Sequence, residues 1–199
     1  SATIDKGFEK VLDLISDAAE VDLRAVVDVN ALYEQFLNGG SLIDWVLDKV
    51  ELSEREFGAR LAERLHLAWD EDPVVDLANA DVLKAACPPQ IAIKHRALLL
   101  RAEYGEDSSR PIRLDIAQYD PFSSLDRQLV RRAVGCPIRW ILAPRRRILA
   151  GLQKFYGVGG DIFEDSLELN SKFHWTPELL EEFKERRGYD LRPYLSILV

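Results

Sequence analysis

Eight basic residues stand between positions 127 and 160 with no acid among them: Arg127, Arg131, Arg132, Arg139, Arg145, Arg146, Arg147 and Lys154. Guanidinium groups at this density suit one kind of chemistry, the recognition of carboxylates or phosphates through forked hydrogen bonds. Outside that stretch 18 basic residues face 34 acidic ones, and the whole chain carries a net charge of −8. Such an acidic balance argues against general nucleic-acid binding. The island points instead to an acidic partner face, an anionic ligand or an anionic membrane surface. Arg131, Arg132, Arg139, Arg145, Arg146 and Arg147 are the candidate partner- or anion-binding residues. Three of them follow Pro144 at a helix start, where a cation opposes the helix dipole by about 0.3–1 kcal/mol. Either an acidic partner offsets that cost or the side chains splay into water.

Other reactive residues offer less. Cys87 and Cys136 are each followed by proline among apolar residues and read as buried free thiols, suited to a reducing cytoplasm. Neither they nor His66, His95 and His174 have the spacing of a zinc site. No metal or cofactor is expected, and no catalytic residue is assigned. Gly157-Val158-Gly159-Gly160 has no lysine after it and ends a helix, so it is no phosphate loop. Asp165 and Glu168 could share a helix face and do glycosidic acid–base work, but a solvated acidic helix explains them as well.

The elements that position these residues follow from periodicity. Residues 4–19 place Phe8, Val11, Leu12, Ile15 and Ala18 at helical spacing. Further helices are expected over 30–37, with Asn30 a candidate N-cap, and over 41–50. Another runs from Ser53 to about His66, opened by the capping box Ser53-Glu54-Arg55-Glu56. Residues 70–76 read as a loop, 81–86 and 90–95 as short helices, and 97–103, 112–117 and 138–143 as strands. Helices over 124–134 and from Pro144 to Tyr156 complete the pattern. The four tryptophans read as core or subdomain anchors. The fold class is therefore α+β: an N-terminal helical bundle (1–66), a compact α/β subdomain with a small three- or four-stranded sheet (67–160) and a helical tail (161–199). No apolar run approaches the 20 or so residues a membrane span needs, so direct membrane insertion is not expected. The absence of methionine suggests a piece of a longer chain.

Three stretches then fall in a telling order: Ile116-Ala117-Gln118-Tyr119-Asp120-Pro121-Phe122, Val134-Gly135-Cys136-Pro137-Ile138-Arg139-Trp140-Ile141-Leu142-Ala143-Pro144, and Phe155-Tyr156-Gly157. Their order resembles the N-terminal domain of the assembly ATPases of type II secretion and type IV pili. A looser likeness reaches back to about Gly40, through Trp45-Val46-Leu47-Asp48-Lys49 and Leu61-Ala62-Glu63-Arg64-Leu65. The resemblance implies a non-catalytic docking or regulatory domain. Its partner would be a cytoplasmic domain of an inner-membrane secretion component, and an ATPase domain would follow in the parent chain. It also implies a cytoplasmic location with recruitment to the inner-membrane face. Some such domains bind cyclic di-GMP through an Arg-Leu-Gly-x-x-Leu motif and a later glycine. This chain has Ser41, Leu42 and Ile43 there, and Val50 in place of that glycine, a departure from the motif; a sensor that takes a phosphate-rich nucleotide at the basic island is the alternative reading. The tail is similar to a short segment of rhamnosidase-like glycoside hydrolases, which makes a hydrolase fragment the third.

Overall fold

A computed structural model describes residues 3–106 and 109–157. The expected helical tail, its glycosidase-like segment, Asp165, Glu168, His174 and Trp175 lie outside the described residues.

The chain opens with helices α1 (Lys6–Ala19), α2 (Leu23–Val26), α3 (Val29–Leu37), α4 (Leu42–Lys49) and α5 (Glu54–Leu65). Short polar residues set their starts. Asp5, Asp22, Asp28, Ser41 and Ser53 each accept a hydrogen bond from a backbone N–H of the first turn, as an N-cap does. The cap of α3 is Asp28 rather than Asn30. Its carboxylate accepts from Asn30 N at 3.0 Å and Ala31 N at 3.3 Å, and Asn30 lies one residue inside the helix. Ser53 takes the Glu56 amide at 3.3 Å, as its capping box predicts.

Beyond α5 come β1 (Ala68–Trp69), a 3₁₀ turn (Leu77–Asn79), α6 (Ala80–Ala86), α7 (Pro89–Lys94), β2 (Leu98–Tyr104), β3 (Pro111–Gln118), α8 (Ser124–Val134), β4 (Ile138–Leu142) and α9 (Arg145–Tyr156). The strands form one mixed sheet in the order β1-β4-β3-β2. β2 and β3 make an antiparallel hairpin, while β3–α8–β4 is a parallel crossover, and β1 joins β4 in parallel. A parallel neighbour needs a crossover, and α8 supplies it. Gly135 ends α8 and Gly157 ends α9, each with φ above +60°, the left-handed conformation that glycine adopts without strain. Pro144 occupies the N-cap of α9, one position before the first turn in which the sequence placed it.

Two buried clusters hold the unit together. One joins Phe8, Leu12 and Ile15 of α1, Leu42, Ile43 and Val46 of α4, and Phe57 and Leu61 of α5 to Leu98, Ala117 and Ile141 of the sheet and Ile148 and Leu152 of α9. The other joins Leu83 and Cys87 to Leu99, Leu114, Ile116, Val130 and Phe155. Neighbouring residues of β2 and β3 therefore feed opposite cores, as the two-residue strand period requires. Cys87 and Cys136 are free thiols, and burial pushes Cys87 up to about 11. Trp45, Trp69 and Trp140 pack against these cores. No helix among the described residues is long and apolar enough to cross a membrane. The architecture is α+β, with a four-stranded sheet.

Candidate functional site

The helical segment meets the sheet through polar side chains around a cleft of about 530 Å³. The α3–α4 turn (Gly39, Gly40, Ser41), Asp48 and Lys49 line one side. Lys94 and His95 from the end of α7, with Asp120, Leu125 and Asp126 from the approach to α8, line the other.

Asp44 is the hub of this junction. Its Oδ1 accepts from Tyr119 Oη at 2.9 Å and from Arg145 Nη1 at 3.0 Å, and its Oδ2 accepts from Arg96 Nη1 at 2.9 Å. Asp48, one turn on along α4, accepts from Arg145 Nη2 at 2.8 Å. Residues four apart share a helix face, so α4 presents a pair of carboxylates that matches the fork of one guanidinium. The Arg145 backbone N–H also donates to Glu54 at 2.6 Å. Burial pulls the Arg145 pKa down, but the bonds to Asp48 and Asp44 outweigh it and leave the group raised. The acids that compensate Arg145 at its helix start thus come from within the fold.

Ser41 is the second tie. Its hydroxyl accepts from the Asp44 N–H at 3.1 Å and donates to Asp120 Oδ2 at 2.7 Å. Asp120 Oδ1 accepts from the Phe122 N–H at 2.9 Å, a local turn that sets up the start of α8. Burial is the largest cause that lifts the Asp120 pKa to about 6, and the hydrogen bonds from Ser41 and Phe122 only partly oppose it. The unfolded value is about 3.9, so the folded chain holds an extra proton between those values. This group's contribution to stability is present below about pH 4 and is lost as pH rises through about 6. Asp120→Asn is expected to flatten that decline. Measured by urea unfolding at pH 4.5 and 7.5, the variant should gain on the parent at the higher pH by about 1–3 kcal/mol. The upper figure is the full linkage and the lower one allows for water in the cleft.

His95 and Ser123 both hydrogen-bond Asp126. A nucleophilic triad would place the serine on the histidine's second nitrogen. Here both bind the same carboxylate, and the arrangement anchors α7 to α8. Among the described residues no group of His, Cys, Asp and Glu could hold a metal ion.

The six arginines singled out in the sequence fall into different settings. Arg145 belongs to the junction just described. Arg139 on β4 lies 3.2 Å from Asp115, and Arg147 lies 3.7 Å from Asp72. Arg131, Arg132 and Arg146 are exposed and have no ion pair among the described residues. Arg127 stacks over Trp140 at 5.4 Å, and burial lowers its pKa. Asp44, Asp115 and Asp120 were not found by reading the sequence. The one local signal was Asp120-Pro121-Phe122, a turn pattern whose carboxylate faces a serine 79 positions away.

Residues 72–161 match the family model described as the MshEN domain. This match bears out the resemblance to the N-terminal domains of type II secretion and type IV pilus ATPases. Among solved structures, one of MshE with cdg is 23% identical, with a TM-score of 0.46, over 73% of this chain and 97% of that one. The N-terminal domain of XpsE is 17% identical, with a TM-score of 0.47, over 71% and 93%. No curated protein matches the chain.

Proposed function

We propose that this chain is a non-catalytic docking or regulatory domain of a secretion or pilus assembly ATPase, and that it binds the cytoplasmic domain of an inner-membrane component. The match of residues 72–161 to the MshEN domain carries this reading. Those residues run from the 3₁₀ turn at Leu77–Asn79 through α9 and hold the basic island. Arg131, Arg132, Arg139, Arg146 and Arg147 offer guanidinium groups at its surface, whereas Arg145 is half-buried on Asp44 and Asp48. An acidic chain with a local cationic surface favours an acidic protein face over nucleic acid.

The test is capture of the cytoplasmic domain of the cognate inner-membrane component at 50 and 500 mM salt. Exposed charge pairs are screened beyond a few ångströms at high salt, so binding is expected to weaken at least tenfold. Reversal of Arg131, Arg132 and Arg146 together to glutamate should weaken it similarly at low salt. Equal capture by parent and variant at both salts would remove these arginines as the contact.

The sensor alternative meets an unfavourable wall. In the cleft beside Ser41 the side chains of Asp48, Asp120 and Asp126 stand near any anion that would enter. Lys49, Lys94, Arg96 and His95 supply positive or neutral groups there, but Arg96 is paired with Asp44, and Ser41 stands where the motif has its arginine.

A further inference from the structure

Sheet register places Arg101 of β2, Asp115 of β3 and Arg139 of β4 in one row. Residues paired across strands share a face of the sheet. Glu103 and Arg113 form the next row on that face. Asp115 is only 3% exposed. Its Oδ2 accepts from Arg101 Nε at 2.8 Å and lies 3.2 Å from Arg139 Nη2, and its Oδ1 accepts from Arg113 Nε at 3.1 Å. Arg113 Nη2 also lies 2.7 Å from Glu103. Two residues along β3 in the other direction, the same face carries the buried row Leu98, Ala117 and Ile141. One end of this face is therefore apolar and covered. The other is charged, and its three arginine side chains are 39–47% exposed.

A buried carboxylate needs partners, but three guanidiniums are more than its charge requires. Asp115 and Glu103 together leave one positive charge in excess. Arg101 and Arg113 bind Asp115 through Nε, which leaves terminal amino groups for a further acceptor. The fold also holds these side chains in place. Ordering a long side chain at an interface costs conformational entropy, and here Asp115 has already done most of that ordering. Arg131, Arg132 and Arg146 have no comparable anchor among the described residues. β2 is the sheet's edge strand. Among the described residues only the Asp76 N–H reaches its outer side, donating to the Leu100 carbonyl at 2.7 Å. Among the described residues no strand pairs with Ala102 to Tyr104 on the side away from β3, which suits that edge to an added extended segment.

We infer that Arg101, Arg113 and Arg139, held by Asp115, form the docking surface for an extended acidic segment of the partner protein. The inference rests on the docking reading above and names the chemistry of its contact. A carboxylate beside Arg101 would continue across the sheet edge the alternation of charge that runs Arg101, Asp115, Arg139.

The probe is a fluorescent ten-residue peptide of alternating Glu and Thr, with a Gln–Thr peptide as control. Anisotropy titrations would use the full 199-residue chain. The Glu peptide should bind at least tenfold more tightly than the Gln peptide. R101Q and R139Q should each weaken it about tenfold, R139K should recover part of the loss, and thermal unfolding would verify that each variant folds. Equal binding of the two peptides, or displacement by an equal concentration of inorganic phosphate, would overturn the proposal. Binding that survives R101Q and R139Q but fails when Arg131, Arg132 and Arg146 are reversed would also overturn it, while leaving the docking reading intact. Loss of cognate-domain capture by the parent chain would remove that reading as well.

Discussion

Asp44→Ala is expected to lower the unfolding free energy by about 3 kcal/mol, the lower end of the cost of breaking a buried ion-pair network, because this one is partly buried. The carboxylate is 14% exposed and accepts from Arg96, Tyr119 and Arg145. Among the described residues its loss leaves the Arg96 guanidinium, 25% exposed, without an acid, and the Arg145 guanidinium, 18% exposed, with Asp48 alone. Arg96 also keeps its place over the Tyr119 ring, at 5.5 Å, partly through that shared acceptor. For a chain of this length the change amounts to roughly 10 °C in Tm. Asp48→Ala is the control. It removes one bond at a more exposed position, so its cost should stay near 1 kcal/mol. Equal losses from the two variants in urea titrations would mean that Asp44 is not the hub.

The second large effect is expected at Gly58, in the middle of α5. Alanine is favoured over glycine inside a helix by about 1 kcal/mol, so propensity alone predicts a gain. The packing reverses it. A methyl group at Gly58 would sit 2.3 Å from Trp69 Cη2 and 2.5 Å from Cζ3. The indole is rigid, and β1, which carries it, pairs with β4 through Ala68↔Ile141 and Trp69↔Leu142. Relief therefore requires that α5 or β1 move. Overpacking typically costs 1–3 kcal/mol, and a contact this short belongs at the upper end. Gly58→Ala should lose about 2–3 kcal/mol net and Gly58→Val more. Trp69→Leu combined with Gly58→Ala should recover part of the loss, because sites in contact are not additive. A stabilised Gly58→Ala protein would show that α5 and β1 do not touch as described.

Both predictions depend on contacts that the sequence does not display, and this separates what was legible from what was not. Amphipathic spacing located α1, α4 and α5, and proline and glycine located the ends of α8 and α9. The strands over 97–103, 112–117 and 138–143 were found within one or two residues because 97–100 is an apolar run, 112–116 alternates apolar and charged residues, and 138–143 is apolar but for Arg139. β1 was missed because two residues carry no periodicity, and pairing with β4 alone makes them a strand. α2 was missed for the same reason, since four residues span barely one turn. The basic island was visible as a count of charge, but its meaning depends on pairing. Arg145 finds Asp44 across 101 positions, and Arg139 shares Asp115 with Arg101 and Arg113, which lie outside the island altogether. One-dimensional charge counting groups residues by position in the chain. The sheet regroups them by register, and only the fold supplies that.

The regrouping also sharpens the two leading readings. A cleft walled by Asp48, Asp120 and Asp126 suits an anionic nucleotide poorly, while the open arginine row on the sheet suits carboxylates. The most direct measurement is a side-by-side calorimetric titration of the full chain with the cytoplasmic domain of the cognate inner-membrane component and with cyclic di-GMP. The account predicts heat that saturates at one-to-one stoichiometry with the protein domain and diminishes with salt, and none with the nucleotide at sub-millimolar concentration. Saturable micromolar binding of cyclic di-GMP with no heat from the protein domain would contradict it.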